Sequence, residues 1–209
     1  MGRYFQFLKT KWSIALACFI LGAFVILGIR ICTYKPDSTH YHANFALYIN
    51  GKQETFQGAQ FYTDTEMCTA STAMTPLGRA HMHDNVNNVV HVEDHAVTWG
   101  QFFTNLGWYM GPNFVESPDG TMYVENGDAK LHILVNNQDY TDLGGVANTI
   151  IKDQDKLLVS FGDVSSQTLQ QEYKAIPSTA HHYDTTNDPE TCSGGHDGTT
   201  MHDRLTHLL

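Results

Sequence analysis

The residues of this chain best suited to chemistry are its histidines, and they are unevenly placed. The stretch 79–95, RAHMHDNVNNVVHVEDH, carries His81, His83, His91 and His95 together with Asp84, Glu93 and Asp94. A second doublet, His40-Tyr41-His42, lies upstream. Neutral imidazole is a ligand for zinc, copper, iron or nickel, at about 2.0–2.1 Å for zinc. Alternate residues of a strand point the same way, so each His-x-His doublet can present two imidazoles to one ion. The candidate metal ligands are therefore His40, His42, His81, His83, His91, His95 and Glu93, and the ions they suit are zinc or copper. The competing reading of the same residues is a set of exposed strand histidines hydrogen-bonded to Asp84 or Glu93. Six histidines between His40 and His95 favour the ion.

A strand hairpin is the element that would position them. Met82, Val90 and Val92 alternate with His81, His83, His91 and Glu93, the period of a half-buried strand, and Asp84-Asn85-Val86-Asn87-Asn88 between the flanks is turn chemistry. Pairing His83 with His91 sets His81 opposite Glu93 and collects all four polar side chains on one face, since opposed Cβ atoms stand about 4.5–5.5 Å apart. Met82, Val90 and Val92 then turn toward the core, and a one-residue slip would reverse both faces.

Further elements follow in order. Residues 42–56 alternate Asn44, Ala46 and Tyr48 against Phe45, Leu47 and Ile49 and reach Asn50-Gly51, a two-residue hairpin turn. His40 and His42 extend the polar face of that strand. Residues 58–78 read as a surface loop. Thr98 is an N-cap for a helix over 98–110, with Phe102, Phe103, Leu106 and then Tyr109 and Met110 on one face and Gly107 as a stop. Trp99, Phe102 and Phe103 read as core. Strands are expected at 122–125, 130–135 and 156–161, separated by turns at Gly127-Asp128 and Asn136-Asn137 and by a Gly144-Gly145 loop. Beyond 163 regular apolar spacing lapses, and 164–209 reads as a His-rich, largely irregular tail, mobile or draped on the domain.

The N-terminus is different in kind. Residues 12–29, WSIALACFILGAFVILGI, carry no charge and are flanked by Lys9, Lys11 and Arg30, long enough for a membrane-spanning helix over 12–32. The run exceeds the apolar core of a secretory signal, and Cys32 is not preceded by the small residues of a lipoprotein cleavage site. Basic residues before the span place 1–11 in the cytoplasm and the rest outside the cell membrane, across a 33–39 linker. The first 36 residues hold five of the 12 basic residues and none of the 22 acidic ones, so the remainder carries −15 with His neutral. So acidic a domain repels phosphate backbones, which excludes nucleic acid and leaves cations as the natural partners. Cys68 and Cys192 are the two cysteines beyond the span, and outside the cell they could pair.

The expected fold is thus α+β: a transmembrane helix, then a small domain over 40–163 with antiparallel hairpins and one main helix. The order of strand pair, helix and the strands LHILVNN and KLLVSFG resembles the ubiquitin-like β-grasp fold over roughly 89–163. The chain lacks a Gly-Gly after that last strand, so sulfur-carrier chemistry is not implied. The Asn-Gly hairpin with HMHD and HVxxxxVTWGxFF also resembles membrane-anchored, His-rich extracytoplasmic proteins of small-genome bacteria and archaea, a likeness that implies no activity. The chain has no Gly-rich phosphate loop, HExxH or nucleophile elbow. Binding of a divalent transition metal is the leading expectation. The alternatives are a metal-dependent hydrolase or redox enzyme with Glu93 as general base, or a structural ectodomain that binds no metal.

Overall fold

A computed structural model describes residues 2–33, 39–58, 61–62, 75–83 and 86–185. The chain divides into two units, one containing the N-terminal helix and the other spanning Ser38–Gly195. Helix α1 (Gly2–Thr33) includes Thr10–Thr33, 24 residues whose most apolar 18-residue stretch has a mean hydropathy of 2.6. At 1.5 Å per residue these reach about 36 Å, against roughly 30 Å for a bilayer core. The helix is long and apolar enough to cross a membrane. Cys18 and Cys32 on it are not disulfide-bonded, whereas Cys68 and Cys192, whose pairing an oxidising compartment would permit, lie outside the described residues.

In the globular unit the elements run β1 (Tyr41–Ile49), β2 (Lys52–Gln53), α2 (Pro76–Arg79), β3 (Ala80–His81), β4 (Val89–Val92), α3 (Trp99–Asn105), β5 (Tyr109–Met110), β6 (Phe114–Glu116), β7 (Met122–Val124), β8 (Lys130–Val135), β9 (Gln138–Tyr140), α4 (Leu143–Ala147), β10 (Lys156–Gly162), α5 (Ser166–Ala175) and α6 (Ala180–Thr185). The main sheet has the order β3-β4-β1-β10-β8-β9, with β2 also paired to β1, and β5-β6-β7 form a small second sheet. The domain is α+β with a mixed sheet: β1 and β10 are parallel at its centre, and the other ladders are antiparallel. The turn at Asn50-Gly51, with φ of 51° and 75°, joins β1 to β2 in the mirror-type conformation such a dipeptide favours.

The alternation read in β1 separates two cores. Phe45, Leu47 and Ile49 point to the side where Trp99, Phe102, Phe103, Leu143 and Val146 of α3 and α4 pack. Ala46 and Tyr48 point to the other, where they meet Leu134, Leu158, Leu169 and Ile176. β1 is consequently buried almost throughout, not half-buried. The covering of its second face comes from α5 and α6, which lie in the stretch expected to be irregular. In α5 the residues Leu169, Glu172, Tyr173 and Ile176 fall at helical spacing, a stripe too polar to stand out in sequence.

Three local expectations are corrected. The main helix begins as expected, with Thr98 and Gln101 forming a capping box, but it ends at Asn105. Gly107, at φ 78°, turns the chain so that the Trp108 N–H reaches the Phe103 carbonyl at 2.9 Å, and Tyr109 and Met110 are released into β5. Gly144-Gly145 is helical, not a loop. Each glycine costs a helix about 1 kcal/mol, and burying Leu143 and Val146 at about 1.5–3 kcal/mol apiece offsets it. The third correction is the hairpin register. Ala80 faces Val92 and His81 faces His91, a shift of two residues from the expected pairing, while Met82 instead bridges to Tyr62. A two-residue shift preserves the face on which every side chain stands, so the histidines remain together.

Candidate metal centre

The sheet positions the histidines in rows. His42 on β1 stands opposite His91 on β4, and His91 stands opposite His81 on β3, so one row crosses three strands. Strands lie about 4.7–4.9 Å apart, which is side-chain contact distance. Ala43, Ala80, Met82, Val90 and Val92 hold the opposite face in the core, and this fixes the direction of the imidazoles.

Five imidazoles result in one connected cluster. His42 Nε2 lies 2.9 Å from His91 Nδ1, and His81 Nε2 lies 2.8 Å from His83 Nε2. The His91 ring is central, with its centroid 4.2 Å from that of His42 and 4.1 Å from that of His83. His40 joins beside His42, ring to ring at 4.7 Å, and its Nε2 is 3.5 Å from Glu93 Oε1. One nitrogen from each of His40, His42 and His91 falls within 4.8 Å of the others, close enough to hold one ion. Met82 is in the core on the far side of the sheet, so its thioether is no part of this donor set.

Hydrogen bonds outside the cluster orient the rings. His42 Nδ1 donates to Asp184 Oδ1 at 2.6 Å, and His81 Nδ1 donates to the Leu77 carbonyl at 2.8 Å. A neutral imidazole has one ring proton, so each of these bonds leaves Nε2 as a lone pair facing inward. A carboxylate or carbonyl behind a ligating histidine is the usual second layer of a metal site. His42 Nε2 then accepts from His91 Nδ1–H, and His81 Nε2 from His83 Nε2–H.

Asp184 reaches the site on α6. Asn44, two residues along β1 from His42, accepts from the Thr179 and Ala180 N–H groups at 3.1 and 3.0 Å and holds the start of that helix. One turn on, Tyr183 lies against the His42 and His91 rings and Asp184 over His42. Asp153 adjoins Asp184. Burial and then the Asp184 charge push the Asp153 carboxyl up, and burial pushes Asp184 up as well.

Burial defines the electrostatics. His42, His81, His83 and His91 are each at most 3 % exposed. Burial, and after it the neighbouring His83, pushes His81 down to about 3. His91 is lowered well below its ordinary value by the same causes, burial first. Both stay neutral at physiological pH, the form that ligates.

Of the expected ligands, the fold brings together His40, His42, His81, His83, His91 and Glu93. His95 lies past the end of β4, exposed, with its Nδ1 2.8 Å from Thr39 Oγ1. Asp184, Asp153 and Tyr183 were not expected. An acidic residue in His181-His182-Tyr183-Asp184 is a faint signal, and nothing in spacing ties it to His42. Comparison with protein-family models, with curated proteins and with solved structures finds no match.

Proposed function

We propose that this protein is a single-pass membrane-anchored domain that binds a divalent transition metal outside the cell through its histidine cluster. The observation that carries the reading is the convergence of His40, His42 and His91 within 4.8 Å, with the His42 ring held from behind by Asp184. Ligands of a tetrahedral ion at 2.0–2.1 Å stand about 3.3 Å apart, so the 2.9 Å His42–His91 contact needs only a few tenths of an ångström to accept one. Glu93 is at hand as a fourth ligand. Imidazole and carboxylate together suit zinc or copper.

Burial favours binding over turnover, since a catalytic ion keeps a position open to substrate. It also disfavours a purely structural ectodomain with a pH-responsive histidine surface. A β-grasp-like arrangement over 89–163 and kinship with the membrane-anchored His-rich group, the latter resting on the Asn-Gly hairpin and HMHD, are part of this proposal. The −15 charge of residues 37–209 would concentrate cations near the site.

The test uses the full chain, purified in detergent without a His tag. Stoichiometric zinc or copper should survive dialysis. His91→Ala should abolish it, and His207→Ala should leave it intact. Metal retained equally by the two variants would sink the reading.

A further inference from the structure

One tetrahedral ion takes four ligands, and the cluster offers more. His40, His42, His91 and Glu93 satisfy one ion. His81 and His83 are left, yet they are as deeply buried and as closely opposed as the first pair. As the cluster stands, two N–H···N contacts exist between imidazoles, His91 to His42 at 2.9 Å and His83 to His81 at 2.8 Å. Each is a place where two ring nitrogens converge on one shared proton, and so a place where an ion can take the proton's position.

We propose that the cluster holds two transition-metal ions, the second at the His81–His83 contact, with His91 as the ligand shared between them. This rests on the metal-binding reading above. The His91 ring lies between the two pairs, 4.2 Å from His42 and 4.1 Å from His83. Imidazole has two nitrogens on different edges of the ring. His91 Nδ1 faces His42, and the His91 ring packs edge-on against His83, so its Nε2 is the atom that the second ion would take. The Leu77 carbonyl does for His81 what Asp184 does for His42, since it fixes the ring proton on Nδ1 and turns Nε2 to the ion.

The protons balance as follows. The proton on His83 Nε2 moves to its Nδ1 and frees Nε2 to ligate. His91 loses its one ring proton to solvent and bridges as imidazolate, forming one bond to each ion. The second ion then has three nitrogen ligands, one fewer than the first, which makes it the exchangeable member of the pair.

The full chain in detergent, with His196, His202 and His207 replaced by Ala to remove the C-terminal histidines, is stripped with chelator and loaded with Cu(II). Two ions per chain are expected after gel filtration. Their paramagnetic resonance should integrate to fewer than two spins, because two Cu(II) ions on one imidazolate are magnetically coupled. His83→Ala should carry one ion and one uncoupled spin. One ion per chain in both proteins would overturn the second position while leaving the metal-binding reading standing. Two uncoupled spins would overturn the sharing of His91, and no bound copper would overturn both inferences. The count on the unsubstituted cluster decides the matter even where His83→Ala fails to fold.

Discussion

At the scale of single residues, the cluster depends on groups that never touch the ion. Asp184 holds the His42 tautomer, and loss of such a partner typically lowers metal affinity 10–100-fold. Asp184→Asn should therefore weaken binding by one to two orders of magnitude in a chelator competition while leaving ion stoichiometry unchanged. The buried histidines also set a pH dependence in the chelator-stripped protein. His81 and His91 are neutral when folded and have an ordinary value near 6.5 when unfolded. Below pH 6.5 the unfolded chain takes up protons that the folded chain refuses, so stability is complete above that value and is lost as pH falls toward 3. His81 contributes up to about 1.4 kcal/mol per pH unit in this window, and His91 acts in the same direction. The urea midpoint should drop steeply between pH 7 and 5, and less steeply in His81→Gln; identical slopes would contradict the buried, neutral His81.

Between residues and the whole molecule stand the elements, and here α6 is decisive. It is only six residues long, too short to persist without tertiary support. Asn44 supplies that support from β1, its side chain accepting from two N–H groups at the start of the helix. Asn44→Ala removes both acceptors, at a cost of about 1–2 kcal/mol. Hydrogen exchange should quicken over 180–185, and metal affinity should fall with it because Asp184 departs from His42. Faster exchange with unchanged affinity would show that α6 is a cover and not part of the site. The α3 helix makes a contrasting case. Its sheet-facing Phe102 is fully buried and lies edge-on to Phe45 at 4.8 Å, so Phe102→Ala should cost about 3–5 kcal/mol in denaturant unfolding without changing ion stoichiometry in the folded fraction.

For the molecule as a whole, the partition of charge governs orientation. Arg3, Lys9 and Lys11 precede the apolar helix, and the acidic residues all follow it. Positive segments stay on the cytoplasmic side, so the domain should face outward. With the four native cysteines replaced by Ser, a cysteine at position 207 should react with an impermeant maleimide on intact cells. Reaction only after lysis would reverse the orientation and place the histidine cluster in the cytoplasm.

What the sequence determined by itself is whatever short-range rules govern. The charge-free run 12–29, the Asn50-Gly51 turn, the Thr98 cap and the period of two in 81–93 each depend on neighbours within a few positions, and each appears in the structure. That parity also placed His81, His83 and His91 on one face, because no shift by an even number of residues can undo it. The register itself depends on pairings that local pattern cannot weigh, and it moved by two. Only the tertiary structure decided what covers the histidines. Asp184 meets His42 across 142 positions of chain, and α5 and α6 bury the second face of the sheet through contacts that leave little periodicity of their own. Burial, ring orientation and the choice of which imidazoles meet are properties of that packing, and a strand's alternation carries no information about the element that packs upon it.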